Sequence, residues 1–203
     1  MATPKRVFAP GYVYHVYNRG NEKMSIFRDR KDYIRWIDRI ELYKEKIGID
    51  ILAYCFLPNH FHFLLLEPLQ PVGLEQPDGL ISTGRIPTFI SFISNAYAKY
   101  FNIRYKHEGK LFQGTFKTKL IRDDRYYEGV THYIHRNPVK HTIVKNVVDW
   151  PFSSFQEYTE SQKHFLSLVS KDKLFFDLKG YQQRFLKYTQ QKKEKEIEDY
   201  IIE

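Results

Sequence analysis

The feature that most restricts how this chain can fold is a pair of short apolar runs, 49–57 and 60–66, separated only by Pro58-Asn59. Each is too short for an ordinary helix, and Glu67-Pro68 closes the second. Both therefore read as strands, and the tight Leu57-Pro58-Asn59 junction makes them a hairpin. Side chains alternate along a strand, so His60 and His62 point to one side of the sheet as neighbours. Two neutral imidazoles held that way have two readings. They are either ordinary half-buried histidines or two ligands of a divalent cation that lacks its third.

The flanking chain sets the frame. Residues 11–18 alternate, with Val13, His15 and Tyr17 on one face and Tyr12, Tyr14 and Val16 on the other. A helix is expected from a cap at Asp29 or Asp32 to about Lys46, ended by Gly48. A second helix is expected over 88–105 and a fourth strand over 115–121. A third helix is capped within 122–124, runs from 125 to 136, and is ended by Asn137-Pro138. The order β-α-β-β-α-β-α is α+β, the ferredoxin-like (βαββαβ) arrangement with one added helix. His15, on the first strand, suits the core or a place beside a metal ligand better than a DNA contact.

At 203 residues the chain suits one domain with appendages. Residues 1–10 read as an N-terminal arm and 11–145 as the domain. Seven prolines and glycines within 68–87 mark a long loop. Residues 146–203 form a C-terminal segment, in which Trp150-Pro151-Phe152-Ser153-Ser154-Phe155 is pinned to the body. Within that segment, 163–203 is mainly helical and ends in a charge-rich tail.

Lys+Arg number 32 against 24 Asp+Glu, a formal charge of +8, which favours a polyanionic partner. The 16 Tyr and 16 Phe interleave with basic residues, as single-stranded nucleic acid requires for stacking and charge. A basic surface over a Phe-rich core would give the same composition. The single Cys55 excludes a disulfide framework and a cysteine zinc site. No span approaches the length and apolarity of a membrane helix, so a cytoplasmic protein is expected, nucleoid-associated only when it holds a nucleic-acid partner.

On the third helix Tyr133 and Asn137 are four residues apart and share a face. Beside His60 and His62, Asn137 could give an amide oxygen to a cation and Tyr133 a phenol that attacks phosphorus. By themselves the two are equally a core tyrosine and a helix-terminal asparagine.

Three blocks, Pro58-Asn59-His60-Phe61-His62-Phe63-Leu64-Leu65, Gly109-Lys110-Leu111-Phe112-Gln113 and Tyr133-Ile134-His135-Arg136-Asn137-Pro138-Val139-Lys140, resemble those of the REP-associated tyrosine transposases. These are a branch of the single-tyrosine HUH transposases. The 150–155 segment is similar to the one that often follows, and the resemblance covers roughly residues 9–158. It implies a single-stranded DNA endonuclease and strand transferase acting at hairpins of palindromic repeats. The implied metal ligands are His60, His62 and Asn137, holding Mg²⁺ or Mn²⁺, and the implied nucleophile is Tyr133, forming a 5′-phosphotyrosine. Tyr126, two helical turns earlier, is the alternative nucleophile. Arg19, Arg104, Lys106, Lys110, Lys117, Lys119, Arg136 and Lys140 are candidate DNA contacts that as a group would line the metal face. Monomer and homodimer are both open. The competing readings are a catalytically silent binder of structured nucleic acid, a replication-initiation HUH nuclease, and a zinc hydrolase that lacks a general-base carboxylate.

Overall fold

The computed structural model describes residues 7–69, 84–159 and 166–190. Strands β1 (Val13–Arg19), β2 (Asp50–Leu57), β3 (His60–Leu66) and β4 (Lys117–Leu120) form one antiparallel sheet in the order β2-β3-β1-β4. With α1 (Arg30–Ile47) between β1 and β2 and α2 (Arg85–Tyr105) between β3 and β4, two split βαβ units interleave. This is the expected ferredoxin-like arrangement. β3 pairs with β1 on one side and β2 on the other along its whole length, so the histidine strand is central.

The strand period gives the sheet two different faces. Phe56, Phe61 and Phe63 point to the side covered by α1 and α2, where Trp36 packs 5.2 Å from Phe61 and Phe89 lies 6.1 Å from Phe63. His60 and His62 are on the other side, with their cross-strand partners Arg19 and Tyr17. α3 (Asp124–Lys140) covers that second face, and Tyr133 packs against His62 there.

The boundaries of α1 follow local chemistry, whereas the start of α2 does not. Asp29 caps α1 by accepting from Lys31 N and Asp32 N at 2.9 and 3.2 Å, and Gly48 ends the helix in the left-handed region at φ 69°. α2 starts at Arg85, earlier than the sequence suggests. Glu67, at the end of β3, accepts from Arg85 N and Ile86 N at 2.6 and 3.0 Å and caps the helix from a distant position. Burial raises the Glu67 carboxyl above its usual range, with the two backbone donors opposing. The end of the expected 68–87 loop is thus the first turn of α2, and 70–83 lie outside the described residues, as do 1–6 of the arm.

α3 differs more. It runs through Asn137-Pro138 to Lys140, where the sequence suggests that it stops. Proline one turn before a helix end removes a single hydrogen bond, and the chain recovers at once. His141 N donates to Asn137 O at 2.9 Å and Ile143 N donates to Pro138 O at 2.9 Å. The extra turn carries Lys140 and His141 to the histidine face.

The segment after α3 is pinned to the free edge of β2, as expected for 150–155. Phe56 N donates to Phe152 O at 2.9 Å, and Ser154 N to Tyr54 O at 3.0 Å. The short α4 (Phe155–Tyr158) presents the buried Glu157. Its carboxylate takes the Tyr54 hydroxyl at 2.7 Å and the backbone amides of Leu168 and Val169 at 3.3 and 3.0 Å. Those bonds hold 166–170 extended against the body, so the helix expected over 163–203 is not continuous. Among the described residues it comprises a 3₁₀ turn at Lys171–Lys173 and α5 (Tyr181–Gln190). Residues 191–203 lie outside the described residues. No helix among the described residues is long and apolar enough to cross a membrane.

Candidate active site

His60 and His62 stand on adjacent same-face positions of β3, their rings 5.1 Å apart and nearly perpendicular. The turn that precedes β3 fixes the first of them. Gly20 N donates to Asn59 O at 2.8 Å, and a Cβ at Gly20 would collide with the Met24 carbonyl. Asn59 then directs Nδ2 to Lys23 O at 3.4 Å and Oδ1 to His60 Nδ1 at 2.6 Å. An amide oxygen only accepts, so His60 carries its proton on Nδ1 and its lone pair on Nε2.

His62 is fully buried and meets His15 through Nδ1, at 3.0 Å from His15 Nε2. Burial, followed by His60, His15, His141 and Lys140, holds its pKa far below the usual imidazole value. His15 is pushed down to about 3 by burial and by Lys119. Both rings are therefore neutral at physiological pH, as metal ligation requires. The sequence favours the core or a place beside a metal ligand for His15. The structure makes it a neighbour of His62.

α3 brings the tyrosine and asparagine to this face. The Tyr133 ring is 5.7 Å from that of His62 and nearly perpendicular to it, with Lys140 Nζ 5.1 Å from the Tyr133 ring centre. Asn137 is fully buried, and its Nδ2 donates to Tyr133 O at 2.8 Å. That bond assigns Oδ1 as the other end of the amide, and Oδ1 has no hydrogen-bond partner among the described residues. A buried amide oxygen without a donor is the kind of group a cation would satisfy. Asn137 lies one turn from Tyr133, which meets His62, and one turn from His141, which meets His60, so its oxygen could join the two imidazoles in a mixed nitrogen and oxygen donor set for a divalent cation, one that suits Mn²⁺ better than the oxygen-seeking Mg²⁺. Among the described residues no group of three His, Cys, Asp or Glu is placed to hold a metal ion.

Tyr126 is in the first turn of α3, seven residues before Tyr133 and so ~10 Å along the helix, outside the group of rings around His62. His141 is the residue that sequence reasoning missed. Its ring lies 4.9 Å from His60, and only the continuation of α3 beyond Pro138 puts it there.

The basic candidates divide by face. Lys117 and Lys119 are exposed on β4 opposite Tyr17 and His15, on the histidine side. Arg19, opposite His60, binds Gln113 through Nε. Arg136 and Lys140 bracket Asn137 on α3. Lys106 caps the C-terminus of α2 with left-handed φ 49°, and Lys110 is exposed in the connection from α2 to β4. Arg104 does not line the metal face. It is on the α1–α2 side, bound to Asp29 and Asp32 at 2.6 Å each. The buried Asp32 carboxylate pairs with the guanidinium, which ties Arg104 to the packing of α2 on α1.

Fold and site together define a ferredoxin-like protein that presents paired strand histidines to a helix-borne tyrosine and asparagine. No protein-family model matches the chain. By sequence the chain is similar to proteins named REP-associated tyrosine transposases. It is 47% identical over 106 residues to the REP-associated tyrosine transposase of Escherichia coli K12, covering 52% of this chain and 54% of that protein. It is 32% identical over 119 residues to a Haemophilus influenzae protein provisionally given the same name, covering 58% of this chain and 65% of that one. The chain thus spans less than two thirds of the length of either relative. Its fold matches a solved REP-associated tyrosine transposase bound to a REP hairpin, with TM-score 0.57 and 23% identity over 88% of this chain and 96% of that one.

Proposed function

We propose that this chain is a metal-dependent, single-tyrosine DNA endonuclease and strand transferase acting beside hairpins formed by palindromic repeats. The observation that carries the reading is the convergence of Tyr133 and Asn137 with His60 and His62 on one sheet face of one chain. The relatives' names supply the reaction class, and the solved neighbour, itself bound to a REP hairpin, supplies the substrate class.

His60, His62 and Asn137 would hold the cation, Mg²⁺ or Mn²⁺, which acts as a Lewis acid on the scissile phosphate when bound. The chain's residues do the rest. α3 holds the Tyr133 phenol against the histidine face, and Lys140 over its ring adds positive charge where an anionic phosphate must enter. The phenol oxygen forms a bond to phosphorus while the bond to the 3′ oxygen of the upstream strand breaks. The phenol proton is lost and the leaving oxygen gains one, giving a 5′-phosphotyrosine and a free 3′-OH. Because the phosphotyrosine keeps the phosphodiester energy, attack by another 3′-OH reverses the step without ATP. Lys117 and Lys119, about 7 Å apart along β4 by strand geometry, form a basic row beside the site suited to a DNA backbone.

The test uses end-labelled single-stranded hairpin oligonucleotides from sequence flanking the gene, with Mn²⁺ or Mg²⁺, resolved on a denaturing protein gel. A labelled protein adduct is expected, abolished by EDTA, by Tyr133→Phe and by His62→Ala. An adduct that survives in Tyr133→Phe moves the nucleophile to Tyr126. Hairpin binding without any adduct moves the function to the catalytically silent binder.

A further inference from the structure

We propose that His15 is a positioning residue for His62, accepting the proton of its Nδ1 so that Nε2 carries the lone pair a cation needs. This rests on the reading that His60 and His62 hold a divalent ion. The two rings are 47 residues apart in sequence, yet His15 Nε2 lies 3.0 Å from His62 Nδ1 in a fully buried contact. The β1–β3 register produces it. His15 is opposite Leu64, two positions from His62, a diagonal separation that aromatic side chains can span. The two rings lie nearly in one plane, 16° apart with centres separated by 5.2 Å, as an in-plane hydrogen bond requires, and the Tyr17 ring, 4.9 Å from His15 and nearly parallel to it, fixes the orientation.

A neutral imidazole has one proton. If His62 offers Nε2 to a cation, its proton is on Nδ1 and must be donated to His15 Nε2. His15 then keeps its own proton on Nδ1, which is buried without a hydrogen-bond partner among the described residues. A side chain selected for packing alone would not carry that cost, since phenylalanine fills the same volume with no polar atom to satisfy. His60 shows the parallel device with a different acceptor, Asn59 Oδ1 at 2.6 Å. Each strand histidine thus has a partner on Nδ1 that can leave Nε2 as the ligand atom, an arrangement common among metal-binding imidazoles.

Mn²⁺ affinity of the full chain, measured by electron paramagnetic resonance of the free ion without DNA, tests this. His15→Phe is expected to weaken Mn²⁺ binding about 10- to 100-fold, while the metal-free protein melts no lower than wild type. His15→Gln, whose amide oxygen can reach the Nε2 position, is expected to stay close to wild-type affinity. Wild-type affinity in a folded His15→Phe, with binding lost in His62→Ala, overturns the role of His15 and leaves the metal reading standing. Failure of His15→Gln to rescue also overturns it, since packing loss then accounts for both variants. Binding that is absent in wild type, or retained in His62→Ala, overturns the metal reading and this inference with it.

Discussion

Asn137 shows how one residue divides its chemistry. Its amide nitrogen is tied to Tyr133 O at 2.8 Å, which leaves a buried oxygen directed away from that bond. A carboxylate there would be a stronger ligand for a hard cation but a charge without a partner in the metal-free protein. Asn137→Asp is therefore expected to tighten Mn²⁺ binding by roughly tenfold and to destabilise the metal-free chain by about 2–4 kcal/mol. Calorimetric titration and denaturant unfolding, each with and without Mn²⁺, measure the two effects. Equal stability in the presence and absence of metal would count against Asn137 as a ligand. The Tyr-x-x-x-Asn spacing was legible from helical periodicity, but its meaning was not. A core tyrosine beside a terminal asparagine has the same spacing, and only the packing of α3 on the histidine face separates the two.

At the level of elements, the basic residues show where sequence fails. Arg104 has the same composition signal as Lys117 and Lys119, yet it is bound to the buried Asp32 and to the α1 cap Asp29, and its Nη1 also reaches Tyr100 OH at 2.7 Å. The Arg104 hydrogen bond holds the Asp29 carboxyl below its ordinary range. Arg104→Met should lower the melting temperature by several degrees and leave hairpin affinity unchanged, whereas Lys117→Gln with Lys119→Gln should weaken hairpin binding several-fold and flatten its salt dependence. Gel-shift titrations at two salt concentrations, beside thermal melts, separate these outcomes. A large loss of DNA affinity in Arg104→Met would return that arginine to the DNA surface. The helix ends carry a similar lesson. Asp29 and Gly48 mark α1 because their caps are local, whereas α2 is capped by Glu67 from another element.

For the whole molecule, buried histidines couple stability to pH. Burial lowers His15 to about 3 and His132 to about 4, and holds His62 and His135 far below the usual value. In the unfolded chain all four titrate near 6.5, so below that pH the unfolded state binds more protons. Stability is thus fully present above about pH 6.5 and is lost as pH falls toward the folded values, by up to about 1.4 kcal/mol per pH unit for each group. Glu67, raised by burial, has the opposite sign but is one group against four. Urea midpoints should fall steeply between pH 6.5 and 4.5, and a flat profile would show that the buried rings protonate without unfolding.

By itself the sequence determined the order of elements, the pairing of His60 with His62 on one face, and the joint presentation of Tyr133 and Asn137. Each of these depends only on the strand period of 2, the helix period of 3.6, or a local cap. Only tertiary structure decided that His15 bonds His62, that α3 passes Pro138 and brings His141 to His60, that Glu67 caps α2, and that Arg104 faces away from the site. Those depend on strand register and on contacts between elements distant in the chain, which no local pattern encodes.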